Sequence, residues 1–226
     1  TLASHEGDVR SLAFSADGTF LVTGGDDGII RFWNLQSGDE QMVIQAHNQV
    51  VRDLAFAPLG RYVASSSYDK TSKLWSADDG TLLHTLQGHT DTVNTVAFSP
   101  SGETIATGSG SVFNSPADYS IRLWDTASGQ EISQLRSHTD NVRELVFSPN
   151  GVYIASASDD RTVMLWDVDT QEVTQSFRGH ESDIPGVVFA GDGGILASVS
   201  YDRTVRLWDR ETGAEGKQLP EHPSQV

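Results

Sequence analysis

Short apolar runs alternate with glycine-containing turns along the whole chain. Two of these runs, VNTVAF at 93–98 and VRELVF at 142–147, carry β-branched or aromatic residues at both ends, which is typical of buried strands. Each is followed by a turn, SPSG at 99–102 or SPNG at 148–151, whose Pro, Ser, Asn and Gly favour turn dihedrals. Next come a second strand in which small and large residues alternate, a third strand that ends on tryptophan, and a more polar fourth strand. Because strands of about five residues recur without any helical pattern, the sequence predicts an all-β fold.

The pattern recurs at a fixed interval, which tryptophan and histidine show independently. Successive tryptophans are 42, 49, 42 and 42 residues apart, and six of the seven histidines are spaced 42, 42, 49, 42 and 42. The members of the two series are Trp33, Trp75, Trp124, Trp166 and Trp208, and His5, His47, His89, His138, His180 and His222. We therefore divide the single region 1–226 into repeats at about 5–46, 47–88, 89–137, 138–179 and 180–221.

Composition and charge exclude several classes of protein. With Cys 0 there is no disulfide framework, no thiolate nucleophile and no cysteine-based zinc site. Asp+Glu 31 against Lys+Arg 15 gives a formal net charge of −16, which disfavours nucleic acid and anionic lipid as partners. No apolar stretch approaches the roughly 18–20 residues that cross a bilayer, and the first residues lack the pattern of a signal peptide. We expect a cytoplasmic protein without nucleic-acid or membrane partners.

Three units end in SIRLWD, TVMLWD and TVRLWD, and two open with Gly-His at 88–89 and 179–180. These motifs and the period resemble the WD-repeat (tryptophan-aspartate repeat) family, and the resemblance covers nearly the whole chain. It implies a β-propeller in which every unit is a four-stranded blade, so that this chain holds five complete blades. The dipeptide itself is looser in the first two units, where Asn34 and Ser76 replace aspartate.

The resemblance also implies one structural tetrad of His, Ser or Thr, Asp and Trp in each blade. The five tetrads are His5, Thr23, Asp27 and Trp33; His47, Ser65, Asp69 and Trp75; His89, Thr107, Asp118 and Trp124; His138, Ser156, Asp160 and Trp166; and His180, Ser198, Asp202 and Trp208. Imidazole, hydroxyl, carboxylate and indole can satisfy one another's hydrogen bonds away from water.

The same residue types form hydrolase triads, so an enzyme must be weighed against a structural role. A catalytic site needs one exposed nucleophile in one cleft, whereas this constellation occurs five times at fixed spacing. The acidic pairs at 26–27 and 78–79 do not continue as a calcium loop, and no phosphate-binding loop occurs. We therefore expect no catalytic residues, no metal and no cofactor.

Partner-binding residues are expected on the face that carries the tetrad loops, where the resemblance implies that protein ligands dock. The fifth residue after each histidine reads Arg10, Arg52, Asn94, Arg143 and Pro185, and the residue before each tetrad Asp reads Asp26, Tyr68, Ala117, Asp159 and Tyr201. Arg and Tyr are enriched among interface hot spots, which makes Arg10, Arg52, Tyr68, Asn94, Arg143 and Tyr201 our candidates. Unselected drift on an exposed ring would give the same variation.

The third unit carries seven extra residues between Thr107 and Asp118, on the same face. The uncharged insertion includes Val112 and Phe113, which have no obvious position in a blade. Loops on rigid scaffolds often serve recognition, so we expect Phe113 to anchor a partner peptide or domain. The alternative is a loop folded onto its own blade.

Five units leave two questions about architecture and function open. Propellers have four to eight blades, and the family most often has seven. One possibility is that these blades belong to a larger propeller, which is completed by further blades or by self-association at its ends. The other is a closed five-bladed ring. The favoured function is a non-catalytic protein–protein interaction scaffold, the docking or sensory propeller of a larger signalling or multidomain protein, for which the FSPxG turns suggest a bacterial source. The alternative is a small-ligand or enzymatic site in the central channel, although the inner-strand residues Ser11, Asp53, Thr95, Glu144 and Gly186 form no convincing cluster.

Overall fold

The computed structural model describes residues 5–111 and 117–216, where all regular structure is β-strand. The strands are β1 (Val9–Phe14), β2 (Phe20–Gly25), β3 (Ile29–Asn34), β4 (Glu40–Gln45), β5 (Val51–Phe56), β6 (Tyr62–Ser67), β7 (Thr71–Ser76), β8 (Leu82–Gln87), β9 (Val93–Phe98), β10 (Thr104–Ser109), β11 (Ile121–Asp125), β12 (Glu131–Leu135), β13 (Val142–Phe147), β14 (Tyr153–Ser158), β15 (Thr162–Asp167), β16 (Val173–Arg178), β17 (Gly186–Phe189), β18 (Ile195–Val199) and β19 (Val205–Asp209). None of the described residues forms a helix of the length and apolarity that crossing a lipid bilayer requires.

Each blade is an antiparallel meander in which consecutive strands pair. β1–β4, β5–β8, β9–β12 and β13–β16 form four four-stranded sheets, and β17–β19 form a three-stranded one. A single bridge between Trp208 and Glu215 continues the fifth sheet. Most of the fourth strand expected in that unit falls in 217–221, which lies outside the described residues. The all-β fold of repeated meanders predicted from the sequence is confirmed.

Neighbouring blades enclose one apolar cluster at each of the four interfaces. Between the first two blades, Val22 and Phe32 pack against Leu54, Val63 and Trp75. The tryptophan of each later blade is buried in the same way against the preceding blade, in the clusters of Trp124, Trp166 and Trp208. Burying one large apolar side chain stabilises by about 1.5–3 kcal/mol, so stacking supplies what a single sheet lacks.

The five blades do not close into a ring. The innermost strands β1, β5, β9, β13 and β17 contact one another in this order, but the described residues show no comparable contact between β17 and β1. The closed five-bladed ring is therefore not the arrangement found.

The open arrangement leaves one face of the first blade uncovered. Leu12 of β1 is 57% exposed and Phe14 is 58% exposed. The residues equivalent to Leu12 in the other blades, namely Leu54, Val96, Leu145 and Val187, are only 2–5% exposed. The same repeat position is thus apolar throughout but buried only where a preceding blade covers it.

Candidate functional site

The four residues of every tetrad lie within hydrogen-bond distance of one another. In the fourth blade, the Trp166 indole N–H donates to Ser156 Oγ at 2.8 Å, and His138 bonds Ser156 Oγ through Nε2 and Asp160 through Nδ1, both at 2.7 Å. In the other four blades the His–Asp distances are 2.8–3.1 Å, the His–hydroxyl distances 2.7–2.8 Å and the Trp–hydroxyl distance 2.9 Å. The sequence spacing therefore brings together the same network five times.

The direction of these bonds follows from the chemistry of the groups. An ionised carboxylate only accepts, so the histidine Nδ1–H donates to Asp, and Nε2 accepts the hydroxyl proton. Burial lowers the pKa of His47, His89 and His180 despite the opposing effect of their aspartates, which keeps these imidazoles neutral. Burial raises the pKa of Asp160, but hydrogen bonds from His138 and Thr162 outweigh it and leave the value at about 2.

The tetrad aspartate also binds backbone, and the sequence analysis missed these contacts. Asp160 accepts the N–H of Thr139 at 3.1 Å and that of Thr162 at 3.0 Å, so it ties the histidine loop to the following strand. The Thr162 hydroxyl donates to Asp160 at 2.6 Å. A hydroxyl residue occupies this position in four blades, as Thr71, Ser120, Thr162 and Thr204, and Ile29 occupies it in the first. That recurrence is the signal that could have revealed the fifth member of the network.

The tetrad hydroxyls are closed to substrate. Ser65, Thr107, Ser156 and Ser198 are 0% exposed, and Thr23 is 8% exposed. Each oxygen already accepts an indole N–H and faces an imidazole nitrogen. A nucleophile must be reachable by the atom that it attacks, so these networks hold the blades together and present no nucleophile to solvent.

Two candidate arginines on the tetrad-loop face are paired within their own blades. Arg10 donates to Asp26 from Nε at 2.7 Å and from Nη2 at 3.0 Å. Arg143 donates to Asp159 from Nε at 2.8 Å and from Nη2 at 2.5 Å. In the first and fourth blades, the residue five after the histidine and the residue before the tetrad Asp thus form one bidentate pair, and Arg10 also lies 3.2 Å from Asp8.

An exposed tyrosine of the next blade lies beside each of these pairs. Tyr68 is 38% exposed and close enough for its phenolate to contribute to the raised pKa of Arg10, and Tyr201 is 41% exposed and contributes in the same way to the raised pKa of Arg143. The structure therefore contains the same Arg–Asp–Tyr cluster twice, at the first and second blades and at the fourth and fifth. We call them the two tyrosine clusters, made of Arg10, Asp26 and Tyr68, and of Arg143, Asp159 and Tyr201.

The remaining candidates differ in their availability. Asn94 is only 5% exposed and donates to the carbonyls of Gly110 at 2.9 Å and Val142 at 3.1 Å, so it holds the start of the insertion against the fourth blade. Arg52 is half-buried and forms no hydrogen bond within the described part of the chain. Val112 and Phe113, our predicted anchor, lie outside the described residues.

On the inner strands, three of the residues six positions after the repeat histidine bond to a neighbouring blade. Asp53 accepts the Ser11 hydroxyl at 2.9 Å and the Val96 N–H at 3.0 Å, so it joins three successive inner strands. Thr95 accepts the Leu145 N–H at 3.3 Å. The sequence analysis placed these residues at one repeat position but did not foresee that they connect neighbouring blades.

Glu144 occupies the same repeat position in the fourth blade, and it has no hydrogen-bond partner among the described residues. Burial, with a further contribution from Asp53 and against an opposing one from Arg52, raises the pKa of Glu144 to about 8. Gly186 offers no side chain at the equivalent place in the fifth blade. Among residues 5–111 and 117–216, no three His, Asp or Glu side chains are grouped so as to hold a metal ion.

Repeated meander blades, buried tetrads and inner strands that meet side by side define a β-propeller repeat protein. The family model described as "WD domain, G-beta repeat" matches five times, at residues 1–34, 38–76, 80–125, 129–167 and 171–209. The chain belongs to this WD-repeat family, as the resemblance of its motifs predicted.

Curated relatives match over about one repeat each. The ribosome biogenesis protein erb1 of Botryotinia fuckeliana is 56% identical over 45 residues, which are 20% of this chain and 6% of erb1. The general transcriptional corepressor TUP1 of Saccharomyces cerevisiae is 44% identical over 41 residues, 18% of this chain and 6% of TUP1. The small ribosomal subunit protein RACK1z of Arabidopsis thaliana is 38% identical over 48 residues, 21% of this chain and 15% of RACK1z. The matched part is thus a small share of each relative.

Proposed function

We propose that the chain is a non-catalytic scaffold that binds protein partners on its tetrad-loop face. The observation that carries the proposal is the pair of tyrosine clusters, each of which places a partly exposed phenol beside a bidentate Arg–Asp pair. Tyr and Arg supply large contact area together with hydrogen-bond donors, which is why they dominate interface energetics. A regular scaffold that repeats such a cluster can engage two points of one partner.

The buried tetrads support a role without catalysis. All five hydroxyl–imidazole–carboxylate networks are used within blades, and the names of the three relatives describe ribosome biogenesis, transcriptional corepression and a ribosomal subunit. We propose that this chain likewise contributes binding rather than chemistry, as the docking or sensory propeller of a larger cytoplasmic signalling or multidomain protein. The net charge of −16 favours a protein with basic regions over a nucleic acid.

A ligand site in the channel is the second candidate, and Glu144 is the observation that favours it. A carboxyl with a pKa near neutrality and no hydrogen-bond partner in the described residues is available to a ligand. The rest of the ring argues against a site, because Ser11, Asp53 and Thr95 are bonded to neighbouring strands and Gly186 has no side chain. One free carboxyl gives a ligand little orientation, so we prefer the scaffold.

The test compares partners recovered from a cell extract by two variants of the chain. In the first, Arg52→Ala, Tyr68→Ala and Tyr201→Ala remove one half-buried and two exposed side chains from the tetrad-loop face. In the matched control, Leu82→Ala and Ile132→Ala remove apolar groups that are 45% and 50% exposed on fourth strands. We expect quantitative mass spectrometry to show specific partners lost at least tenfold by the first variant and retained by the control. Equal recovery by wild type and the first variant contradicts the docking face.

A further inference from the structure

Five turns between first and second strands lie on the face opposite the tetrad loops. One of them lacks a polar residue that the other four share. The turns between first and second strands carry a small polar residue before their glycine, as Asp17, Ser101, Asn150 and Asp192. Each accepts the backbone N–H two residues further on, at 3.0, 3.2, 3.2 and 2.9 Å respectively. This local bond stabilises the turn. The second blade has Leu59 at this position, which can accept no such bond.

Leu59 is also the most exposed of the large hydrophobic side chains in the described residues. It is 77% exposed, whereas the next highest value is 58%. The turn of the second blade therefore has a solvent-exposed aliphatic side chain where the other four turns have a polar group that stabilises them. Departures from local folding rules without a compensating contact are expected where binding has replaced stability as the requirement.

Clefts lie on both sides of Leu59. The larger, of about 610 Å³, is lined by Leu59, Arg61 and Tyr62 of the second blade and by Glu103 and other residues of the third. The smaller, of about 510 Å³, separates the first and second blades and is also lined by Leu59. Both volumes are large enough for an amino-acid side chain. The exposed leucine thus forms the ridge between two depressions.

The smaller cleft differs in sequence from the equivalent places between later blades. In the second, third and fourth blades the second turn residue is proline, and it lies against the glycine of the next turn. A Cβ on Gly102 would lie 3.6 Å from Pro58 Cδ, and one on Gly193 would lie 3.0 Å from Pro149 Cδ. Ala16 replaces the proline in the first blade, and a Cβ on Gly60 would meet nothing within 4 Å. No proline ring therefore occupies the space beside Gly60.

Carboxylates outnumber cations around Leu59. The clefts are lined by Asp17, Asp78, Glu103 and Asp125, with Arg61 the single cation among their lining residues. Hydrogen bonds from Ser15 and Thr19 lower the pKa of Asp17 to about 2, so it is ionised at neutral pH. Hydrogen bonds from Ser128 also lower the pKa of Asp125. The charge complement of this surface is a positively charged partner.

We propose that Leu59 and its two clefts bind a basic peptide segment that carries large apolar side chains between Lys or Arg residues. The apolar side chains enter the clefts and pack on Leu59, and the flanking cations pair with the surrounding carboxylates. This surface lies on the face opposite the two tyrosine clusters, and the inference does not depend on the function proposed for those clusters.

The probe is an array of fluorescein-labelled hexapeptides, measured by fluorescence polarisation with the full chain. Each peptide has two lysines or two arginines on either side of a pair drawn from leucine, isoleucine, phenylalanine and tryptophan. Counterparts with glutamate in place of the cations, and with serine in place of the apolar pair, are the controls. We expect some basic apolar members to bind, neither control series to bind, and affinity to fall when salt is raised. An array in which no basic apolar member exceeds its controls overturns the proposal.

Two variants separate binding from folding. Leu59→Ser supplies the residue of the Ser101 turn and should weaken the binding of active peptides at least tenfold without lowering Tm. Leu35→Ser makes the same change at a leucine that is 42% exposed and lines neither cleft, and it should leave binding unchanged. Unchanged binding in Leu59→Ser, or a Tm lower than that of wild type, overturns the proposal, because the leucine would then be irrelevant or structural.

Ala16→Pro tests the smaller cleft separately. The proline ring should fill the space beside Gly60, as its counterparts do at Gly102 and Gly151. We expect weaker binding of the basic apolar peptides, and little change for a second set in which one residue of the apolar pair is serine. Equal effects on both kinds of peptide contradict a role for that cleft. The triple variant of the tetrad-loop face should bind the array normally, so failure of either proposal is recognised independently.

Discussion

At the scale of single residues, the tetrad aspartate is the group whose loss should matter most for folding. Asp160→Ala would leave the His138 Nδ1–H and the Thr139 N–H without their acceptor. A buried polar group without a partner costs about 1–3 kcal/mol, so we expect the free energy of unfolding to fall by about 2–3 kcal/mol. Urea denaturation measures this change. Asp169→Ala, at an exposed aspartate in the turn after β15, is the control and should have almost no effect; equal effects would mean that the network contributes no stability.

Glu144 gives a pH dependence of the opposite sign to that of the tetrads. Its folded pKa of about 8 lies above the ordinary value of 4.5, so ionisation is harder in the folded protein. Its contribution to stability is therefore full below about pH 4.5 and is lost as the pH rises through 8. Glu144→Gln should raise the urea midpoint relative to wild type at pH 9 and change it less at pH 4. A difference independent of pH would show that this carboxyl does not titrate as the structure indicates.

The tetrads lose stability in acid. The folded pKa of Asp160 is about 2, below the ordinary value of 3.8, so the stability it confers is present above the unfolded value and is lost as the pH falls towards 2. The lowered pKa values of His47, His89 and His180 act in the same direction from about pH 6.5 downwards, because the unfolded chain binds those protons more readily. The difference in urea midpoint between wild type and Asp160→Ala isolates this group from carboxyls such as Glu144 that act in the opposite direction. The difference should shrink as the pH falls from 4 to 2, and a constant difference would contradict the assignment for Asp160.

At the scale of elements, a side chain of the third strand limits the size of the residue that can precede the repeat histidine. Gly88 precedes His89, and a Cβ there would lie 2.6 Å from Arg122 Nη1, which donates to Glu131. Gly179 has the same relation to Arg206, with a distance of 2.7 Å. The fourth blade has Met164 in place of the arginine, and Ser137 precedes its histidine. In the third and fifth blades, the glycine before the histidine thus leaves space for an arginine of the third strand.

A double-mutant cycle tests this dependence. Gly88→Ala should destabilise the protein by about 1 kcal/mol, because the methyl group displaces a guanidinium that is buried and paired. Arg122→Met, which copies the fourth blade, should remove most of the further loss caused by Gly88→Ala. The coupling free energy from urea denaturation should be at least about 0.5 kcal/mol. Additive effects would indicate that the glycine is required for another reason.

The periodic residues allowed most of the fold to be predicted from the sequence. Each strand pairs with its neighbour in the chain, so local pattern and turn residues determine a meander without any knowledge of distant contacts. Apolar residues at the same repeat positions then form the interfaces, as Leu54 and Val96 do. The tetrad residues could be located for the same reason, because a network that recurs five times is visible in spacing alone.

Contacts between blades could not be predicted in this way. The Ser11–Asp53 bond joins residues 42 positions apart on adjacent inner strands, and it requires the position of one blade against the next. Pairing within a blade was also missed, as for Arg10, which lies at the register shift between β1 and β2 and donates to Asp26. Sequence reasoning identified Arg10 and Asp26 as variable surface residues, but only the structure shows that the charge of each neutralises that of the other.

At the scale of the whole molecule, the open ends determine how the 226-residue chain should behave in solution. Val9, Leu12 and Phe14 are 52–58% exposed on the first blade, and Val188 is 58% exposed on the fifth. Exposed apolar faces of this kind are normally covered by a further repeat or a partner. We expect the chain to self-associate through them, so that sedimentation velocity shows a mass that increases with concentration.

Leu12→Lys with Phe14→Lys should suppress that association. Because both side chains are already in contact with water, the lysines should cost little stability in the monomer. Leu54→Lys places the same charge at the equivalent position of the second blade, where the side chain is 5% exposed, and burying an unpaired ammonium there should destabilise the protein by about 3 kcal/mol or more. A wild-type chain that stays monomeric at about 100 µM, or a loss of stability in Leu12→Lys equal to that in Leu54→Lys, would contradict the open arrangement, since both outcomes require the first blade to be covered already.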